Sequence, residues 1–194
     1  MPMEPEPVWT TLEIAKLVVA ALIPLSVAGL GWWVARLTKR IEAAQWRNQK
    51  LVEKRISLVD TIAPDLNDLY CYFLWIGRWK ELSPVDVIAL KRKLDHSIHV
   101  NRPYLSGSCV NAYNDFISQL FKTFTGPGND AQLRTTLESS DGSRPDTYRG
   151  PTGWNPSWNT MFREEETDRA TVKRLYSDLI DQLTEQVGIS PRAS

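Results

Sequence analysis

Histidine and cysteine are scarce in this chain, two of each in 194 residues. His96 and His99 are the only imidazoles, and Cys71 and Cys109 stand much too far apart for a C-x-x-C pair. That composition excludes H-E-x-x-H peptidases and cysteine-histidine zinc sites, so neither a metal nor a cofactor is expected. An excess of charge is lacking too. Lysine and arginine total 23, as do aspartate and glutamate, so the chain as a whole has no net field to gather nucleic acid or an acidic substrate. The Gly126-Pro127-Gly128 stretch has no Lys-Ser/Thr ending and no strand before it, which excludes a phosphate-binding loop and leaves a turn. No strand ladder and no internal repeat is legible. Long apolar runs are also rare, for there is only one.

That run, Leu17 to Ala35, is nineteen residues without a charge. As a helix it measures about 28 Å, close to the ~30 Å hydrocarbon core of a bilayer. Ser26 is its only hydroxyl, so it lacks the polar stripe of a water-facing helix. Trp32 and Trp33 stand where an aromatic belt meets head groups, and Lys16 can snorkel from the other end. The leader MPMEPEPVWTTLE is acidic and the run ends in WWVARLTKR, which suits a retained anchor and not a cleaved signal peptide. Arg36, Lys39 and Arg40 crowd one flank, against Glu4, Glu6 and Glu13 on the other. The positive-inside bias then predicts an outside N-terminus and a cytoplasmic body. Two cysteines suit a reducing compartment as well as they suit one disulfide. Within the run Ala20, Pro24 and Ala28 recur every four residues, a candidate self-association face.

About 158 residues follow residue 36, enough for one compact domain. The helical pattern continues from Arg36 without Gly or Pro up to Pro64 and reads as a stalk. Its first basic residues suit anionic head groups, while Arg47, Lys50, Lys54 and Arg55 read as a solvated face. After Pro64, Leu66, Leu69, Tyr70, Phe73 and Ile76 mark a core helix closed by Gly77. Ser83 as N-cap, Pro84 at the first position and Asp86 at the capping-box site open a helix over about 84–99. Val110, Tyr113, Phe116, Ile117, Leu120 and Phe124 carry another helix up to Gly126. Glu164, Glu165 and Glu166 precede the last one, over about 168–187, with Val172, Leu175, Tyr176, Leu179, Leu183 and Val187 on one face. Residues 125–162 hold nine glycines or prolines and are expected as a long irregular segment, flexible over about 126–153. Trp154, Trp158, Met161 and Phe162 are expected to dock back onto the helices. The fold class is all-α: a leader (1–13), a single transmembrane helix (14–36) continuing into a stalk (37–62), a small cytoplasmic helical bundle (63–188) and a tail (189–194).

Only RKLDHSIH suggests chemistry. Arg92 and His99 are seven residues apart and share a helix face, with Asp95 and His96 near them. The pattern resembles the catalytic motif of HEPN-type ribonucleases, helical proteins in which a dimer sets two such pairs on the RNA backbone; here Lys93 replaces the polar residue usual after the arginine. That resemblance implies His99 as the proton-transfer group and Arg92 as the stabiliser of phosphate charge. The plainer reading is a pair of surface histidines, and His96, His99 and Asp95 are too few to complete a metal site.

Residues 45–95, notably LNDLYCYF and WKELSP, together with WNPSWNTMF and the closing helix, resemble an uncharacterised family of bacterial membrane-anchored proteins. The resemblance implies a bacterial origin and one anchor with a helical body, and transfers no activity. A short anchor before a helical cytosolic body is also similar in layout to pore-forming membrane effectors of bacterial defence systems. The expected function is a single-pass inner-membrane protein that associates with itself or with a cytosolic partner without catalysing a reaction. Its partners would be the lipid bilayer and a second copy or another protein, with nucleic acid not expected. The alternative is a membrane-tethered ribonuclease using Arg92 and His99.

Overall fold

A computed structural model describes residues 11–123, 126–128, 130–163 and 167–188. The first ten leader residues, Phe124, Glu164 to Glu166 and the tail lie outside the described residues. The chain is mostly helical and divides into two compact units, Met1–Lys50 and Leu51–Ser194. Helix α1 (Thr11–Leu74) contributes residues to both.

In the first unit the apolar run is helical through Pro24. Among its described residues the large side chains from Leu17 to Val34 are exposed. The two hydroxyls turn inward on their own helix: Ser26 donates to the carbonyl of Leu22 at 2.8 Å and Thr38 to that of Val34 at 3.0 Å. Such bonds satisfy a hydroxyl where no water is at hand. One helix of the protein is thus long and apolar enough to span a membrane.

In the second unit residues 51–74 of α1 pack with α2 (Pro84–Val100), α3 (Gly107–Leu120) and α5 (Arg169–Gln186). Pro64 does not end α1, in contrast to the expected division there. Leu58 and Ile62 before it and Leu66 and Leu69 after it all enter one core. Burying four such side chains, at about 1.5–3 kcal/mol each, outweighs the ~3 kcal/mol of an interior proline. The far end of the expected stalk is therefore core.

The start read for α2 holds, and the structure supplies the caps of the other two helices. Ser83 and Asp86 form the reciprocal capping box of α2, Ser106 caps α3 through Cys109 N–H, and Asp168 caps α5 through Thr171 N–H at 2.8 Å. Bonds from Thr171 hold the Asp168 carboxyl below its usual range. α3 stops at Leu120, short of Gly126, because Phe121 turns to extended backbone. There β1 (Phe121–Lys122) pairs antiparallel with β2 (Gln132–Leu133). Tyr70 of α1 stacks on Tyr176 of α5, with ring centroids 4.1 Å apart, and Lys93 of α2 pairs with Asp65 of α1 at 2.8 Å.

The segment expected to be irregular and flexible has built structure among its described residues. β3 (Glu138–Ser139) and β4 (Gly142–Ser143) form a second two-residue hairpin, followed at once by the short helix α4 (Arg144–Thr147). Met161 and Phe162 pack against the core as expected, and Tyr148, Trp154 and Trp158 meet edge to face at 5.3–5.7 Å.

Candidate functional site

Neither α1 nor α5 has a basic residue in its last turn. The last carbonyls of a helix lack intrahelical donors and carry partial negative charge; backbone N–H groups such as those of Trp75 and Val187 meet some of them, and arginines from elsewhere add charge-assisted bonds. For α5 the donor is Arg55, which reaches the carbonyl of Gln186 at 3.1 Å and that of Tyr104 at 2.7 Å. A residue read as part of a solvated face is thus a long-range cap. Gln186, itself buried, accepts from Ser106 N–H at 3.1 Å and donates to Ser106 Oγ at 2.8 Å.

For α1 the donor is Arg144, from the segment expected to be flexible. Arg144 N–H donates to Leu137 O at 2.8 Å across the β3–β4 hairpin, which swings the side chain back over residues 135–136. Nε donates to Thr136 O at 3.0 Å, and Nη2 donates to Thr135 Oγ1 at 3.2 Å and to Tyr72 O, near the end of α1, at 3.1 Å. The guanidinium carbon lies 3.8 Å from the Trp75 ring centroid, 4.1 Å from that of Tyr72 and 5.5 Å from that of Trp79. Only 1% of Arg144 is exposed. Trp75 adopts φ 60°, the only non-glycine residue with positive φ among those described. That left-handed geometry costs an indole about 1–2 kcal/mol, offset by its burial against Arg144 and Trp79. The expected stop at Gly77 therefore falls at Leu74. The crevice beside the cluster, lined by Tyr72, Lys80, Leu82, Tyr148 and Trp154 among others, is too tight for a water molecule. This cage is filled by its own arginine and acts as a clasp on the 134–162 segment.

α2 and α3 share a second buried polar group. Lys91 pairs with Asp95 Oδ2 at 2.6 Å, and Tyr113 O–H donates to Asp95 Oδ1 at 2.6 Å. Burial first, then Asp95, pushes the Tyr113 phenol well above its ordinary range. Both carboxylate oxygens of Asp95 are thereby engaged, which weakens it as a metal ligand; among the described residues no cluster of metal-holding side chains occurs.

The HEPN-like residues lie on the outside of α2. Arg92 is ion-paired with Asp130. His99 is exposed, and its Nδ1–H donates to the carbonyl of Asp95 at 2.7 Å, since a carbonyl only accepts. His96 is exposed as well. No contact among the described residues joins Arg92 to His99. The two cysteines are free thiols. Burial pushes Cys109 up to about 11 and also raises Cys71, which makes both poor nucleophiles near neutrality.

In the first unit every candidate interface residue is exposed: Lys16, Trp32, Trp33, Arg36, Lys39 and Arg40, with Ala20, Pro24 and Ala28 likewise open. The Arg36 guanidinium lies over the Trp32 ring, 5.3 Å from its centroid. Trp32, Trp33, Arg36, Leu37 and Arg40 line an open groove. The arrangement can hold an apolar phase against one end of the helix and an anionic one against the other.

The chain matches no family model, no curated protein and no solved structure.

Proposed function

We propose that this chain is a single-pass protein of a bacterial inner membrane, with its N-terminus outside and a cytoplasmic helical body that binds a second copy or a cytosolic partner and catalyses no reaction. One observation carries the reading: the described side chains of the apolar stretch of α1 are exposed. Leaving its leucines, valines and tryptophans in water would forfeit on the order of tens of kcal/mol of transfer free energy, and a patch that size marks an interaction surface. Lipid matches it in length and in having no polar face. The basic flank at Arg36, Lys39 and Arg40 supports the orientation.

Buried polar groups of the body are engaged within the fold. Lys91, Asp95 and Tyr113 engage one another, and Arg144 closes the end of a helix. In this reading the small side chains at Ala20, Pro24 and Ala28 face a neighbouring span, and the body presents its charged surface to its partner.

Fractionation of cells expressing the tagged chain tests the anchor. The chain is expected to stay in the membrane pellet after an alkaline carbonate wash and to need detergent for release. A clear supernatant species of full length without detergent refutes the reading. Protease added to intact inner-membrane spheroplasts should spare the body and digest it only after lysis.

A further inference from the structure

We propose that the segment from Trp32 to Arg40 is a binding site for the phosphate of an anionic phospholipid. The proposal rests on the membrane reading above and adds a ligand to it. At 100° per residue, Trp32, Trp33, Arg36, Lys39 and Arg40 fall within about 120° of the helix circumference. Along the axis the two indoles come first and the cations follow over roughly 5–12 Å. This is the order in which a lipid presents its glycerol-ester region and then its phosphate.

The Arg36–Arg40 pair has no acid on its arc, Glu42 being a neighbour of Lys39 alone among these cations. From Ile14 to Ile41 the charged residues are Lys16, Arg36, Lys39 and Arg40, and no acid occurs. Glu42, the next charge, falls about 120° away from Arg36 and off this arc. Arg36 and Arg40, one turn apart, are neighbours on the helix surface at about 6 Å. Two guanidinium forks at that separation can share one phosphate. The ring of Trp32 beneath Arg36 restrains one fork and leaves its N–H edge for an acceptor. The groove these residues line has a volume of about 270 Å³, and on the same arc toward the N-terminus the apolar surface runs on through the exposed Leu25 and Leu22, where acyl chains would lie. That continuity favours a lipid over free phosphate.

The test uses the full chain purified in non-ionic detergent, with phosphatidylglycerol or phosphatidylcholine added and bound lipid counted by native mass spectrometry. Phosphatidylglycerol should be retained selectively. R36Q/R40Q should lose roughly thirtyfold in its affinity, the product of two cations at an anionic surface. These side chains are exposed, so the substitutions remove the contact of Arg36 with the Trp32 ring but no core packing. R102Q/K173Q, which removes two exposed cations of the body, should change nothing, and equimolar inorganic phosphate should not displace the lipid. Equal retention of both lipids, an unchanged preference in R36Q/R40Q, or displacement by inorganic phosphate overturns the proposal. A chain that integrates into phosphatidylcholine vesicles yet shows no preference defeats the lipid site alone; one that enters no vesicle defeats the membrane reading with it.

Discussion

Replacing Arg144 tests whether one buried cation clasps the 134–162 segment to the end of α1. Two rings lie within 4.1 Å of its guanidinium carbon, and three acceptors take its hydrogen bonds. With about 2 kcal/mol for a desolvated cation–π contact and about 1.5 for each charged hydrogen bond, the gross stabilisation is on the order of 8 kcal/mol. Burying the cation costs several kcal/mol in return. The net loss in R144A should be about 3–4 kcal/mol, a fall in melting temperature of roughly 10 °C for a body of this size. Near-ultraviolet circular dichroism of the full chain in detergent reads this directly, because Trp75 and Trp79 flank the site. R144M separates the causes, since it keeps the stem length and leaves little cavity while removing charge and donors. R144K should fall in between, its ammonium being unable to fork or to stack as a plane. If R144M melts within about 2 °C of the parent chain, the cation is not what holds the clasp and the reasoning fails.

Alkaline pH should weaken the body. Burial, against the pull of Arg144, pushes the Tyr72 phenol from its ordinary 10 up to about 12, and Tyr113 is raised too. The folded state keeps these protons where the unfolded chain loses them, so stability is complete below pH 10 and falls above it, by up to about 1.4 kcal/mol per pH unit per phenol. Denaturant midpoints that stay flat from about pH 9 to 12 would contradict this. Leu66→Ala, at a fully buried position beyond Pro64, should cost about 2–5 kcal/mol. Ile56→Ala, on the exposed side of the same helix, should stay within about 0.5 kcal/mol in chemical denaturation; equal costs would mean that α1 packs differently.

Much of the fold was legible because its signals are local. The Ser83-Pro84-Asp86 start of α2 works over three residues, and the apolar stripe of α5 repeats within its own helix. An uncharged run of nineteen residues announces its solvent without help from any neighbour. Arg92, His96 and His99 could be placed on α2 from spacing alone, but spacing could not say that Arg92 meets Asp130. Pro64 misled, since a proline reads as a boundary and the core on both of its sides lies far away in sequence.

The amino-acid order by itself determined the capped start of α2, the apolar stripe of α5 and the uncharged run from Leu17 to Ala35. Tertiary structure alone decided that Arg144, in a polar stretch with every mark of a loop, is buried against Tyr72 and Trp75, and that Arg55 closes α5. The physical reason is common to both. A helix end without a basic residue of its own leaves carbonyls that need a donor, and which distant side chain arrives depends on how the chain folds back, here across 72 and 131 residues.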